Sequence, residues 1–224
     1  MKVWDVYTRL WHWLLLVGIV FQWLSAEVLD DQIQNHALMG YALLGMMLFR
    51  ISWGLIGPES VRFKHFIPSW NRLTDYLLRK NKITYVSHNP LGAFAVLAFI
   101  VVITIQALSG LFMDDDIFFT GPLYNWLSTE TTAVITEIHD IGFAAIQLLI
   151  VLHIIGVLIH RYKGEPFIIK AMVTGNKPID NPFTQMPAVQ LHLRAWISIT
   201  LSVLTIWLLV NHVPTWLGVE ADYY

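Results

Sequence analysis

The sequence predicts an all-α integral membrane protein, a four-helix transmembrane bundle with a fifth transmembrane helix after it. Three observations predict this class. Of 224 residues, 56% are hydrophobic and only 13% are charged, with a mean hydropathy of +0.56, a balance rare in soluble domains. Five apolar runs approach the roughly 20 residues that a helix needs to cross a bilayer. All fourteen Lys and Arg fall on one side of the membrane if those five helices alternate.

The runs follow in order. The first, Trp11–Val28, comes after Lys2 and Arg9. Apart from Ser25-Ala26-Glu27 it offers no small-residue cleavage site, so it reads as a retained helix and not as a signal peptide. The second, His36–Ile56, carries Arg50 near its end. The polar stretch from Gly57 to Asn89 holds Trp70–Lys80, an amphipathic pattern that suits a surface helix on the membrane or a solvated loop helix. The third run is Leu91–Phe112, after which Phe118–Ser128, rich in aromatics around Gly121-Pro122, reads as an interfacial turn. The fourth is Ile138–Ile159. Lys163–Met186, interrupted by Pro166, Pro178 and Pro182, has no long apolar run and reads as a linker. The fifth, Ala195–Val210, is the shortest. The expected division is therefore a bundle over 1–165, a cytoplasmic linker over 166–194, and a fifth helix with an outside tail over 195–224.

The positive-inside rule orients this arrangement with the N-terminus in the cytoplasm and the C-terminus outside. The segments Ser25–Asn35, Met113–Glu137 and Asn211–Tyr224 contain no Lys or Arg and hold Glu27, Asp30, Asp31, Asp114, Asp115, Asp116, Glu130, Glu137, Glu220 and Asp222. An acidic outer face suits a basic soluble partner, with simple solvation as the alternative. Nothing in the charge pattern points to nucleic acid. Cysteine is absent, which excludes covalent c-type haem, thiolate-bound clusters and disulfides. A redox centre in this chain must be held by His or Met.

Four of the nine histidines stand where they can hold such a centre. His139 and His153 lie 14 residues apart in the fourth run. At about 100° and 1.5 Å per residue, their rings return to one face roughly 21 Å apart. Under the derived topology His36 lies at the level of His139 near the outer surface. His12 lies at the level of His153 near the inner one. Each pair then comes from two helices at one depth, which is what a haem held between helices requires. The expectation is two b haems ligated by His12, His36, His139 and His153. His160, seven residues after His153 on the same face, is an alternative inner ligand. His65, His88, His192 and His212 fall in loops or at helix ends. Arg9, three residues before His12, and Arg50 are candidates for the haem propionates, or else anchors reaching the interface.

These residues carry a resemblance. Thr8-Arg9-x-x-His12-Trp13, His36-x-x-x-Gly40-Tyr41, Arg50-x-x-Trp53-Gly54, His88-Asn89-Pro90-x-Gly92-Ala93, Gln106-x-x-Ser109-Gly110-Leu111-Phe112 and the His139/His153 pair together resemble the bacterial cytochrome b561 family. That family includes the cytochrome b subunits of nickel–iron hydrogenases. The resemblance covers about residues 1–165. It implies a four-helix bundle with two bis-histidine b haems at the four positions named above, in the bacterial inner membrane. It further implies exchange with ubiquinone or menaquinone near the inner haem, at Asn89 with His88 beside it. The competing role for Asn89 is a helix cap before Pro90. The fifth helix departs from the family's four-helix pattern.

The leading functional expectation is electron transfer between the quinone pool and a periplasmic c-type cytochrome or redox enzyme subunit, in either direction. Membrane lipid surrounds the chain, and a homo-oligomer is a further partner to consider. One alternative is a self-contained superoxide:quinone oxidoreductase, disfavoured because a small anion calls for a cationic outer funnel. The other is a haem-free membrane scaffold.

Overall fold

The computed structural model describes residues 2–78, 85–115, 117–165, 167–178 and 183–218. Arg79, Lys80, Lys82, Asp116, Pro166, Pro182 and the tail from Val219, with Glu220 and Asp222, lie outside the described residues. Among those described the fold is all-helical. The helices are α1 (Val6–Glu27), α2 (Ile33–Ile56), α3 (Phe63–Phe66), α4 (Trp70–Leu77), α5 (Pro90–Ser109), α6 (Thr129–Tyr162), α7 (Ile168–Thr174), α8 (Ala188–Asn211) and α9 (Val213–Trp216). Extended pairing is limited to the single bridges Lys2 to Asn176 and Asp114 to Thr120.

Five helices are long and apolar enough to cross a membrane: α1, α2, α5 with its 3-10 extension to Phe112, α6 and α8. The chain is a multi-pass membrane protein. Each span outruns its apolar core because hydropathy detects only the part in lipid, whereas the hydrogen-bond ladder continues into polar sequence. Thus α6 starts at Thr129 instead of Ile138, with Glu130 in its first turn and Arg161 in its last, as the helix dipole favours. Likewise α8 starts directly after Pro187, whose carbonyl accepts from Leu191 N–H. The Lys163–Met186 linker holds the short α7. At the surface, α4 is capped by Ser69 and leaves Trp70, Leu77 and Leu78 exposed.

The chain forms two compact units that cut across the helices. Unit 1 comprises Met1–His12, Arg50–Ile100 and Leu148–Ser198; unit 2 comprises Trp13–Phe49, Val101–Gln147 and Ile199–Tyr224.

In unit 1, Asp5 starts α1. Its Oδ1 accepts from Tyr7 and Thr8 N–H at 2.9 and 3.0 Å, and its Oδ2 accepts from Thr8 Oγ1 at 2.6 Å. The fully buried Trp53 donates its indole N–H to Thr8 Oγ1 at 3.2 Å. Gly175 takes φ +84° to end α7, and its carbonyl accepts from Val3 and Trp4 N–H. A Cβ there would stand 2.7 Å from the Trp4 carbonyl, so only glycine fits.

In unit 2 the core is apolar: Leu44, Leu111 and Leu123, with Tyr41, Phe112 and Ile206 packed against them. The expected interfacial turn is a compact loop in which Gly121 N–H donates to Met113 O and Leu123 N–H to Leu111 O, at 2.7 and 2.9 Å. The fifth membrane helix packs on this chain. In unit 2, Gly45 of α2 lies against Ile206 of α8; in unit 1, Arg194 of α8 donates to Ile56 O of α2 at 2.8 Å. Its buried positions Leu191, Ala195, Ser198 and Ser202 repeat at helical spacing and are mostly small, which suits close packing of membrane helices.

Candidate functional site

The four histidines singled out above come together as two pairs. In unit 1 the rings of His12 on α1 and His153 on α6 have centroids 6.4 Å apart. In unit 2 the rings of His36 on α2 and His139 on α6 have centroids 6.5 Å apart. These separations lie at the long end of aromatic contact. A metal–imidazole bond of about 2.0–2.1 Å, plus roughly 1 Å from nitrogen to ring centre, puts two rings that share a metal roughly 6 Å apart. Both pairs therefore have the separation of imidazoles on opposite sides of one iron. Among the described residues there is no cluster of three or more His, Asp or Glu suited to a bare metal ion.

The surroundings of the unit 1 pair are cationic and aromatic. Phe99 meets His153 edge-on at 5.9 Å. Arg50, 3% exposed, stacks within 5.1 Å of Phe63 and 5.8 Å of Trp11, yet its Nη1 is buried with no hydrogen-bond partner. Arg9 donates from Nη1 to the Val173 carbonyl and keeps a buried, unpaired Nε. His88, between Phe66 at 4.6 Å and Trp4 at 5.0 Å, has a buried, unpaired Nδ1. Part of that residue reaches the surface, but burial of the ring, then Arg50, Lys177 and His153, push its pKa down to about 3. Two buried guanidinium donors without acceptors, with an unpaired imidazole nitrogen beside them, are costly. A carboxylate-bearing cofactor such as haem supplies the missing acceptors, so the residues present fit it.

Asn89 takes the cap role and also meets a histidine. Its Oδ1 accepts from Gly92 N–H at 2.7 Å, capping α5, while its Nδ2 lies 2.9 Å from His160 Nε2. His160 is thus taken up elsewhere: its Nδ1 pairs with Glu165 at 2.9 Å, and Tyr76 OH stands 3.3 Å from its Nε2. The remaining histidines have aromatic neighbours. His192 hydrogen-bonds Tyr7 OH at 2.7 Å, His212 lies 4.4 Å from Trp207, and His65 lies 5.7 Å from Phe183.

The unit 2 pair is held by hydroxyls. Ser25 Oγ stands 3.1 Å from His36 Nδ1, and Ser109 Oγ stands 2.9 Å from His139 Nδ1. The sequence reading did not single out Ser25, and it left Ser109 without a role. The signal was present as a repeated Gln-x-x-Ser, Gln22 to Ser25 and Gln106 to Ser109. Nothing local in the sequence reports that the Nδ1 of His88 is buried.

Comparison with known proteins gives the family. A family model described as prokaryotic cytochrome b561 matches residues 3–175. The chain belongs to the prokaryotic cytochrome b561 family. Membership implies b haem as the cofactor class. Two curated relatives are each named "Probable Ni/Fe-hydrogenase B-type cytochrome subunit". The protein of Azotobacter vinelandii is 28% identical over 127 residues, covering 45% of this chain and 53% of its own length. That of Azotobacter chroococcum mcd 1 is 27% identical over the same extent. The chain thus spans about half the length of the curated relatives it matches. No solved structure matches.

Proposed function

We propose that this cytochrome b561 holds two b haems, at His12/His153 and at His36/His139, and carries electrons between the quinone pool and a periplasmic redox partner. The single observation that carries the reading is the recurrence of one ring separation, 6.4 and 6.5 Å, in two pairs that draw their partners from α6. When bound, b haem supplies a one-electron carrier. The protein's part is to place, charge and shield it. Arg9, Arg50 and His88 hold the propionates in unit 1, where each has a buried donor to offer. Among the described residues every Lys and Arg belongs to unit 1 and none to unit 2, which by the positive-inside rule gives a cytoplasmic N-terminus and a periplasmic C-terminus in the inner membrane.

Quinone exchange belongs beside Asn89. The His160–Glu165 pair gives that position a proton acceptor backed by a carboxylate, an arrangement suited to general acid–base work. The hydrogenase naming of the curated relatives favours a hydrogenase-type enzyme or a c-type cytochrome as the partner outside.

A pyridine haemochrome assay on purified protein, with reduced-minus-oxidised spectra, tests the core of this reading. About two b haems per chain are expected, falling to one in His153→Ala and one in His36→Ala. A haem-free protein, or retention of both haems in either variant, refutes it.

A further inference from the structure

We propose that Ser25 and Ser109 are positioning residues that set the tautomer and donor strength of His36 and His139. The inference rests on the haem reading above and concerns unit 2 alone. A serine hydroxyl has one proton to give. Ser109 Oγ gives its proton to the Gln106 carbonyl at 2.9 Å, one turn back on α5. The face of that oxygen toward His139 Nδ1, 2.9 Å away, is then a lone pair. Nδ1 must carry the ring proton to bond there, and Nε2 keeps its own lone pair for a metal.

The same construction appears on α1. Ser25 Oγ gives its proton to the Gln22 carbonyl at 3.2 Å and faces His36 Nδ1 at 3.1 Å. Two different helices thus present one device, Gln-x-x-Ser, to the two members of a single pair. The local packing preserves it. A Cβ on Gly110 would lie 3.4 Å from the His139 ring, and one on Gly142 would lie 2.2 Å from Gln106 Oε1. At Gly110 that is ordinary contact distance, whereas glycine at 142 lets the Gln106 side chain lie against α6.

The two locks differ in strength. With its amide turned so that nitrogen faces α2, the Gln22 side chain donates to the His36 carbonyl at 3.0 Å and accepts from Gly40 N–H at 3.2 Å. In that orientation its N–H also points at His36 Nδ1 at 3.2 Å and competes for that nitrogen as an acceptor, against the tautomer the serine favours. Nδ1 of His36 therefore has a donor competing for it, and the serine's hold on that tautomer is weaker. Nδ1 of His139 faces two acceptors, Ser109 Oγ at 2.9 Å and the Gln106 carbonyl, so its tautomer is set more firmly.

A donated Nδ1 proton makes the imidazole a stronger base toward iron and favours the oxidised form. The test is redox titration with electron paramagnetic resonance of the ferric haems in Ser109→Ala, Ser109→Thr and Ser25→Ala. The haem that His139→Ala removes identifies the signal to follow. Expected in Ser109→Ala is a positive shift in that haem's midpoint potential with a changed ferric signal. The other haem should be untouched, Ser109→Thr should restore both readouts, and Ser25→Ala should shift less. If Ser109→Ala loses the haem, restoration of haem and potential by Ser109→Thr supports the proposal equally. An unchanged potential and signal in Ser109→Ala with haem retained overturns the proposal and leaves the haem reading standing, as does Ser109→Thr behaving like alanine. Wild-type protein without a His139-dependent haem overturns both.

Discussion

The two units hold histidine pairs of the same separation in opposite surroundings. Among the described residues, unit 1 carries all eleven Lys and Arg against four acidic residues; unit 2 carries none against eight. Around His12/His153 stand Arg9, Arg50 and His88 with unspent buried donors. Around His36/His139 stand two serine hydroxyls whose protons are committed to backbone carbonyls. The ligand residues alone therefore do not set what each site does. On the proposed haem reading, a pair among cations would hold an anionic cofactor from its carboxylate side, whereas a pair backed by hydroxyls would be tuned through the imidazoles themselves.

Substitutions confined to one unit test this contrast. The largest effect is expected from Arg50→Leu. Removing one partner of a buried, hydrogen-bonded charge pair costs about 2–5 kcal/mol, so the unit 1 haem should be lost or bound at least ~30-fold more weakly. The unit 2 haem should stay. Loss of both haems in the same spectrum would break the comparison. Next comes Leu44→Ala in the apolar core of unit 2, where Leu44 is 2% exposed. A cavity there should cost about 3 kcal/mol of thermal stability while the unit 1 haem spectrum is unchanged.

A smaller effect separates the units by pH. In the haem-free protein, burial, Arg50, Lys177 and His153 hold His88 down to about 3, so it stays neutral when folded and takes up a proton near pH 6.5 when unfolded. The unfolded state then binds more protons, and stability falls as pH drops from about 6.5 toward 3, by at most about 1.4 kcal/mol per pH unit. Melting temperatures of haem-free His88→Gln in detergent at pH 7 and 5 should show a shallower acid loss than the parent. An identical slope would remove His88 from this role. The smallest effect belongs to Asp115→Ala in unit 2, whose Oδ1 accepts from Ile117, Phe118 and Phe119 N–H at 3.1, 2.7 and 2.7 Å. It should cost about 0.5–1 kcal/mol and leave both haem spectra as they were.

Much of this was legible in the chain. Five spans and four paired histidines follow from apolar length, from the charge asymmetry and from the 14-residue spacing of His139 and His153, all of them one-dimensional periodicities. Helix ends were less legible: the Asp5 cap extends α1 back to Val6, and polar turns extend α6 and α8 beyond any hydropathy window. Asn89 was legible as a residue of interest, but its simultaneous cap and contact to His160 were not.

The sequence by itself determined the class, the spans, the segregation of charge and the pairs. These depend on solvent preference and helical repeat, which each residue carries with it. Only the tertiary structure decided that His160 turns to Asn89 and Glu165 while His153 faces His12. It alone left buried donors unpaired on Arg9, Arg50 and His88, and it alone aimed two serine lone pairs at two imidazoles. Hydrogen bonds depend on angle and on distance to within a few tenths of an ångström, and only the packing of one helix against another sets those.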